Sequence, residues 1–170
     1  MGLIILSFSI LISIFYVLPI KNKSLRDIPY LKIHLISLIW IIAIGGFQLV
    51  NENNFELNNW LFVGAHYFYI LAVTIPFDIR DLEYDHPKQK TIPQIIGIQK
   101  SKMVSISLIW VYYFLIRSIK STIIGNYYFL FSLIITSILI FCINKNRSNF
   151  YYSGLIEFSI FIVGVSLMLG

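Results

Sequence analysis

The chain has 170 residues, 58% of them hydrophobic and only 12% charged, with a formal charge of +5. Soluble domains carry about a quarter charged residues, so this composition excludes a soluble core and reads as a polytopic membrane protein. Cys142 is the only cysteine, which excludes an intrachain disulfide and a cysteine-based metal cluster, and the modest positive charge reads as a loop bias, not a nucleic-acid patch.

Six apolar stretches approach the roughly 17 to 25 residues that a helix needs to cross a bilayer. They cover residues 2–20, 32–50, 59–77, 102–119, 122–143 and 150–169. The first is not a signal peptide, because nothing basic precedes it and no small-residue cleavage site follows. In lipid each span must be helical, since unpaired backbone groups would find no water, and no strand-length alternation suggests a barrel. The expected fold is an all-α membrane bundle with six transmembrane helices, a single domain over residues 1–170.

Charge sets the orientation. Lys21, Lys23, Arg26 and Lys32 lie between spans one and two; Arg80, Lys88, Lys90, Lys100 and Lys102 between three and four; Lys145 and Arg147 between five and six. Only Arg117 and Lys120 lie on the other side. Positively charged loops stay cytoplasmic. The protein is therefore expected in a cytoplasmic (inner) membrane, multi-pass, with the 78–101 segment inside and both termini outside. A first span that starts beside Met1 with its N-terminus outside fits the C-terminal part of something longer.

The most polar interruption runs from Thr74 to Gly97, TIPFDIRDLEYDHPKQKTIPQIIG. Pro76 sits near the membrane edge, where a kink is tolerable. Asp78, Asp81 and Asp85 are spaced i, i+3, i+7, which on a helix puts them within about 60° of one another. Three carboxylates on one face repel unless a cation sits between them, and Mg²⁺ suits one or two carboxylates plus phosphate oxygens. His86-Pro87 ends that helix; Lys88 and Lys90 form a basic turn, and an amphipathic segment returns to the bilayer. Acids for a metal and bases for phosphate suit a diphosphate substrate. On spacing alone, a solvated loop of mixed charge is the slightly favoured reading.

DIRDLEYDHPKQKTIPQIIG resembles the second aspartate-rich motif of the UbiA family of intramembrane prenyltransferases. Asp78, Asp81, Asp85, Thr91, Pro93 and Gly97 match that motif, and Tyr16, Pro19 and Lys21 match the family's Y-x-x-P-x-K stretch. The spans resemble the last six of the family's nine helices, about two thirds of that fold. The resemblance implies Mg²⁺ held by Asp78, Asp81 and Asp85, and a polyprenyl diphosphate met by Arg80, Lys88, Lys90 and Lys21, with Tyr16 and Lys32 in the pocket. It implies transfer of the prenyl group to an aromatic or other lipophilic acceptor, as in quinone biosynthesis. The sequence departs from the family in two places. It has no N-D-x-x-D motif, so the other half of the metal site would come from missing N-terminal helices or a partner subunit. His86 stands where the family usually has Arg, and no Gly precedes Thr91. A non-catalytic relative that binds an isoprenoid or acts as a subunit is the alternative.

Among other polar residues within spans, Glu157 is a functional candidate because intramembrane acids are costly, with a hydrogen-bonded structural acid as the equal alternative. His66 and His34 read as neutral histidines bonded between helices. Arg117 and Lys120 read as interface anchors.

Overall fold

The structure, a computed structural model, describes residues 2–18, 28–51, 55–119, 126–144 and 146–169. Among these residues every regular element is helical. In order they are α1 (Gly2–Val17); α2 (Leu31–Ile41), continuing through a π-helical turn (Ile42–Gly46) into α3 (Phe47–Asn51); α4 (Leu57–Arg80); α5 (Ile92–Ile119); α6 (Tyr127–Phe141); and a π-helical turn (Tyr151–Ile156) leading into α7 (Glu157–Met168). Among the described residues each apolar stretch of the sequence is thus helical over most of its length. Three helical stretches are long and apolar enough to cross a membrane: Leu57–Glu83, Ile92–Ile119 and Tyr151–Met168. Gly2–Tyr16, Leu31–Gly46 and Tyr127–Phe141 are shorter apolar helices.

The outside of the bundle is oily. Leu3, Ile4, Met103, Phe114, Phe131 and Phe158 are all more than half exposed. Inside, small polar side chains are buried between helices, among them Ser37, Ser101, Ser105, Ser132, Thr136, Ser159 and Ser166. A water-soluble bundle would show the reverse arrangement; small residues at helix contacts and apolar residues outward suit a lipid solvent.

The long helix α4 is the spine. It packs most extensively on α5 and next on α2, and it buries a continuous run from Leu71 to Pro76. Pro76 lies inside this helix. Proline has no N–H, so the carbonyl four residues back, on Ala72, loses its helical partner. Ser105 Oγ on α5 donates to that carbonyl at 2.6 Å. A defect in one helix is thus answered by its neighbour, and the backbone stays satisfied without water.

The ends of α6 are tied similarly. Asn126 Oδ1 accepts from Phe129 N at 2.9 Å as an N-cap, and its amide donates to Ser166 O on α7 at 2.7 Å. Lys102 Nζ donates to Phe141 O at 3.1 Å, a cation at a helix C-terminus where carbonyls lack partners. The aromatic core of Tyr69, Tyr112, Phe129 and Tyr152 fills the space between α4, α5, α6 and the second π turn.

Candidate functional site

The acidic segment does not form the separate short helix expected from its spacing. Asp78 stands on the last turn of α4, which ends at Arg80. A 3₁₀ turn over Asp81–Glu83 follows, and Asp85 N donates to Asp81 O at 2.8 Å. The loop between the helices is accordingly shorter than 78–101, because α5 begins at Ile92. The tightening redistributes the carboxylates. Asp78 and Asp85 converge on one ammonium: Lys32 Nζ lies 2.8 Å from Asp78 Oδ1 and 2.5 Å from Asp85 Oδ2. Asp81 turns to Arg80, which grips it with Nε and Nη2 at 2.7 and 3.1 Å. The guanidinium of Arg80 in turn lies over the rings of Phe77 and Tyr152, 5.2 and 6.0 Å from their centroids. Among the described residues, no three His, Cys, Asp or Glu side chains form a ready metal-binding group.

The loop is built to hold this arrangement. His86 Nδ1 accepts from Lys88 N at 3.1 Å, starting a second 3₁₀ turn over Pro87–Gln89. Gln94 Oε1 accepts from Thr91 N at 3.0 Å, while its amide donates to Asp85 O at 3.1 Å. This is the return half of a capping box, T-x-x-Q, and it fixes Asp85 to the start of α5. Tyr30 N donates to Gln89 O at 3.1 Å, which binds the start of α2 to the same loop. Lys32 is two residues on, so that bond sets its ammonium beside the carboxylates. Gly97 has φ 78° and ψ 165°, a region open to glycine alone, and breaks α5 between its amphipathic start and its long apolar part.

Asp78 is 1% exposed. Lys32 is in ion-pair range, yet among the described residues neither Asp78 oxygen receives a well-directed hydrogen bond. A carboxylate in that state is incompletely satisfied.

Two cavities meet at the Lys32–Asp78 pair. The larger, about 650 Å³, is lined at one end by Tyr16, Lys32, Asp78, Arg80, Asp81 and Glu157, and deeper in by Ile36, Trp40, Ile70, Val73 and Phe161. Trp40, Ile70 and Ile160 also wall an apolar pocket of about 240 Å³ that reaches His66 and Tyr112. Together they make one cleft between α2, α4 and α7, charged at the mouth and oily along its length. The smaller cavity, about 40 Å³, lies among Tyr30, Lys32, Asp78, Gln89, Lys90 and Thr91.

The residues expected to meet a diphosphate are therefore divided. Arg80 faces the large cavity, Lys90 the small one, and Lys88 is exposed and lines neither. Lys21, with Pro19, Lys23 and Arg26, lies outside the described residues. Lys32, expected only as a pocket residue, is the centre of the ion-pair network. Glu157 opens onto the mouth from the first turn of α7. His66 is tied both within α4 and to α5: Nδ1 donates to Phe62 O at 2.8 Å and Nε2 shares a hydrogen bond with the Tyr112 hydroxyl at 3.2 Å. His34 shares a hydrogen bond with the Tyr67 hydroxyl. Sequence reasoning missed Gln89, Gln94 and Ser105. The T-x-x-Q spacing could have found Gln94, and the carbonyl freed by Pro76 called for a donor such as Ser105.

No family model, curated protein or solved structure matches this chain.

Proposed function

We propose that the protein is a membrane-embedded prenyltransferase half-site, binding a polyprenyl diphosphate with its head at the Asp78–Asp81–Arg80 mouth and its chain along the apolar cleft. The observation that carries this reading is the cleft itself: a charged mouth opening onto one oily groove that continues for two cavities. An amphipathic ligand with a polar head and a long hydrocarbon tail fits such a space, and a water-soluble metabolite does not.

The charge at the mouth supports a divalent cation as part of the ligand. Lys32 and Arg80 stand against Asp78, Asp81 and Glu157 around the cavity, with Asp85 on the same ammonium. Two bases against four acids leave a formal −2, which repels a bare diphosphate. The incompletely satisfied Asp78 supports Mg²⁺, which Asp78, Asp81 and Asp85 would hold once Lys32 and Arg80 release them, since as they stand they form no ready metal-binding group. When bound, Mg²⁺ supplies Lewis-acid stabilisation of the leaving diphosphate. The chain's own contributions follow. Arg80 stabilises charge that develops on the diphosphate as the allylic C–O bond breaks and its electron pair leaves with oxygen. The cleft keeps water from the prenyl cation, with Trp40 and Phe161 offering aromatic faces. The lipophilic acceptor then forms a bond to the allylic carbon, and its proton passes to the released diphosphate. The complementary N-D-x-x-D half-site is not within this sequence and would be contributed from outside it.

In this reading the bundle has six spans in a cytoplasmic membrane, with the 81–91 loop on the cytoplasmic face. Eleven of thirteen Lys and Arg residues on that side support the orientation. Single cysteines at Lys88 and Asn58, introduced after Cys142→Ser, should be labelled from opposite faces; labelling from one face would refute it.

The test of activity is Asp78→Asn with Asp81→Asn in membranes holding the complete enzyme. Loss of Mg²⁺-dependent diphosphate release from a prenyl donor is expected, and unchanged release sinks the assignment. One observation favours the second reading, a non-catalytic isoprenoid-binding scaffold: Lys32 already neutralises Asp78 and Asp85 in part. Tight prenyl diphosphate binding that is indifferent to Mg²⁺ would establish that alternative.

A further inference from the structure

Lys32 occupies the position of a cation. Its ammonium is held by carboxylate oxygens from two different elements, the end of α4 and the loop beyond it, at 2.8 and 2.5 Å. For a metal to bind Asp78 and Asp85 together, that ammonium must go elsewhere. The fold contains a second place for it. The 40 Å³ cavity on the other side of the pair is lined by Lys32 itself, Gln89 and Thr91. Gln89 is 5% exposed and Thr91 4%, and among the described residues Gln89 Oε1 and Thr91 Oγ1 are both without a hydrogen-bond partner. Buried acceptors left unpaired are costly and rare. A cavity of this size accepts a group as large as a water molecule, and an ammonium is about that size and carries three donors.

We infer that Lys32 is a two-station switch: its ammonium sits between Asp78 and Asp85 when no divalent cation is bound, and moves to Gln89 Oε1 and Thr91 Oγ1 when one enters. The inference rests on the metal-dependent reading above and adds how that site is regulated. It also gives a charge logic. Lys32 with two carboxylates carries a formal −1. A divalent cation added to the same three groups brings it to +1, which draws in a diphosphate. The switch thereby favours the metal-first order and shields the carboxylates from each other until the metal arrives. Lys90 on the rim of the small cavity lies over the Tyr30 ring, away from both stations.

The experiment measures Mn²⁺ binding by electron paramagnetic resonance on the full chain in nanodiscs, without any prenyl donor. Lys32→Met removes the competitor and should tighten binding by at least about fivefold, the lower end of ordinary coupling between linked events. Gln89→Met and Thr91→Val each remove part of the second station and should weaken binding by a comparable factor in the parent. Neither should have any effect in the Lys32→Met background, because nothing then needs the station. Thermal melting of each variant identifies any that fail to fold, and two separate probes of the station keep the cycle readable.

Equal weakening by Gln89→Met in both backgrounds would overturn the switch, as would Mn²⁺ binding unchanged by Lys32→Met. Absence of Mn²⁺ binding in both the parent and Lys32→Met would overturn it too. The two claims can fail separately. The expected coupling without Mg²⁺-dependent prenyl diphosphate binding would leave the switch and remove the prenyl reading. A flat cycle with Asp78-dependent diphosphate release would do the opposite.

Discussion

Ser105→Ala isolates the interhelical bond that answers the proline in the spine helix. The Ala72 carbonyl has no helical donor because residue 76 is proline, and Ser105 Oγ supplies one at 2.6 Å. Ala72 and Ser105 are both fully buried, so no water replaces the lost hydroxyl. Leaving a buried acceptor unpaired costs about 1 to 3 kcal/mol, while hydrogen bonds between membrane helices average about 0.6 and reach about 1.7 kcal/mol. The expected loss is therefore about 1 to 1.5 kcal/mol, roughly a tenfold shift of the folding equilibrium. The assay is reversible unfolding in mixed micelles by SDS titration. The control is Pro76→Ala, which restores the N–H that Ala72 O lacks. In that background Ser105→Ala should cost less than about half as much. Equal costs in both backgrounds would refute the account of Pro76. Asp78 lies two residues beyond Pro76, so the single variant should also weaken Mn²⁺ binding, whereas a purely local defect would leave it unchanged.

Other substitutions test the remaining supports. A methyl group built on Gly45 would come within 2.4 Å of Val63 Cγ1. Gly45→Ala should therefore push the first π turn off α4 and destabilise the bundle by about 1 to 3 kcal/mol, read by the same titration. Gly97→Ala meets no neighbour, yet its backbone conformation alone should cost about 1 to 3 kcal/mol; a neutral result would mean that α5 is straight in solution. Gln94→Ala removes the tie between Thr91 N and the Asp85 carbonyl, and faster amide exchange across residues 84–91 is the expected result. Tyr112→Phe removes the hydroxyl bonded to His66 Nε2. It should lower stability by about 1 kcal/mol without changing cation binding at the far end of the cleft.

How much of this was legible in the sequence depends on range. The helices were, because apolar length is a local property: among the described residues the expected spans are largely helical, three of them long and apolar enough to cross a membrane. Helix ends were less so. Asp78, Asp81 and Asp85 share a face only on a continuous helix, and the 3₁₀ turn after Arg80 ends that continuity. The turn sends Asp81 to Arg80 and leaves Asp78 and Asp85 to Lys32, more than forty residues earlier in the chain. No periodicity reveals such a partner, since a charge alone does not say which distant acid it will meet. The cleft is equally non-local: Trp40, Ile70 and Ile160 become one wall only after α2, α4 and α7 pack. Gln89 and Thr91 look like ordinary loop residues, and their unpaired oxygens appear only once the loop has closed over them.

The irregular backbone gathers around the cleft. The first π turn contributes Ile44 and Gly45 to its apolar end, and the second ends immediately before Glu157 at its mouth. Such wide turns are uncommon and concentrate at functional sites, because an ordinary α-helix holds the same residues with more bonds. In α2 the turn lets Gly45 lie against Val63, where an ordinary side chain would collide. In α7 it precedes the one acid that faces Asp81 and Arg80 across the mouth. Both cost regular helical hydrogen bonding; the first lines the cleft, and the second leads into the helix that does. A bundle selected only for stability would straighten these helices and fill the cleft between them. The combination of two wide turns, an incompletely satisfied buried carboxylate and unpaired acceptors beside Lys32 is what the proposed ligand site requires.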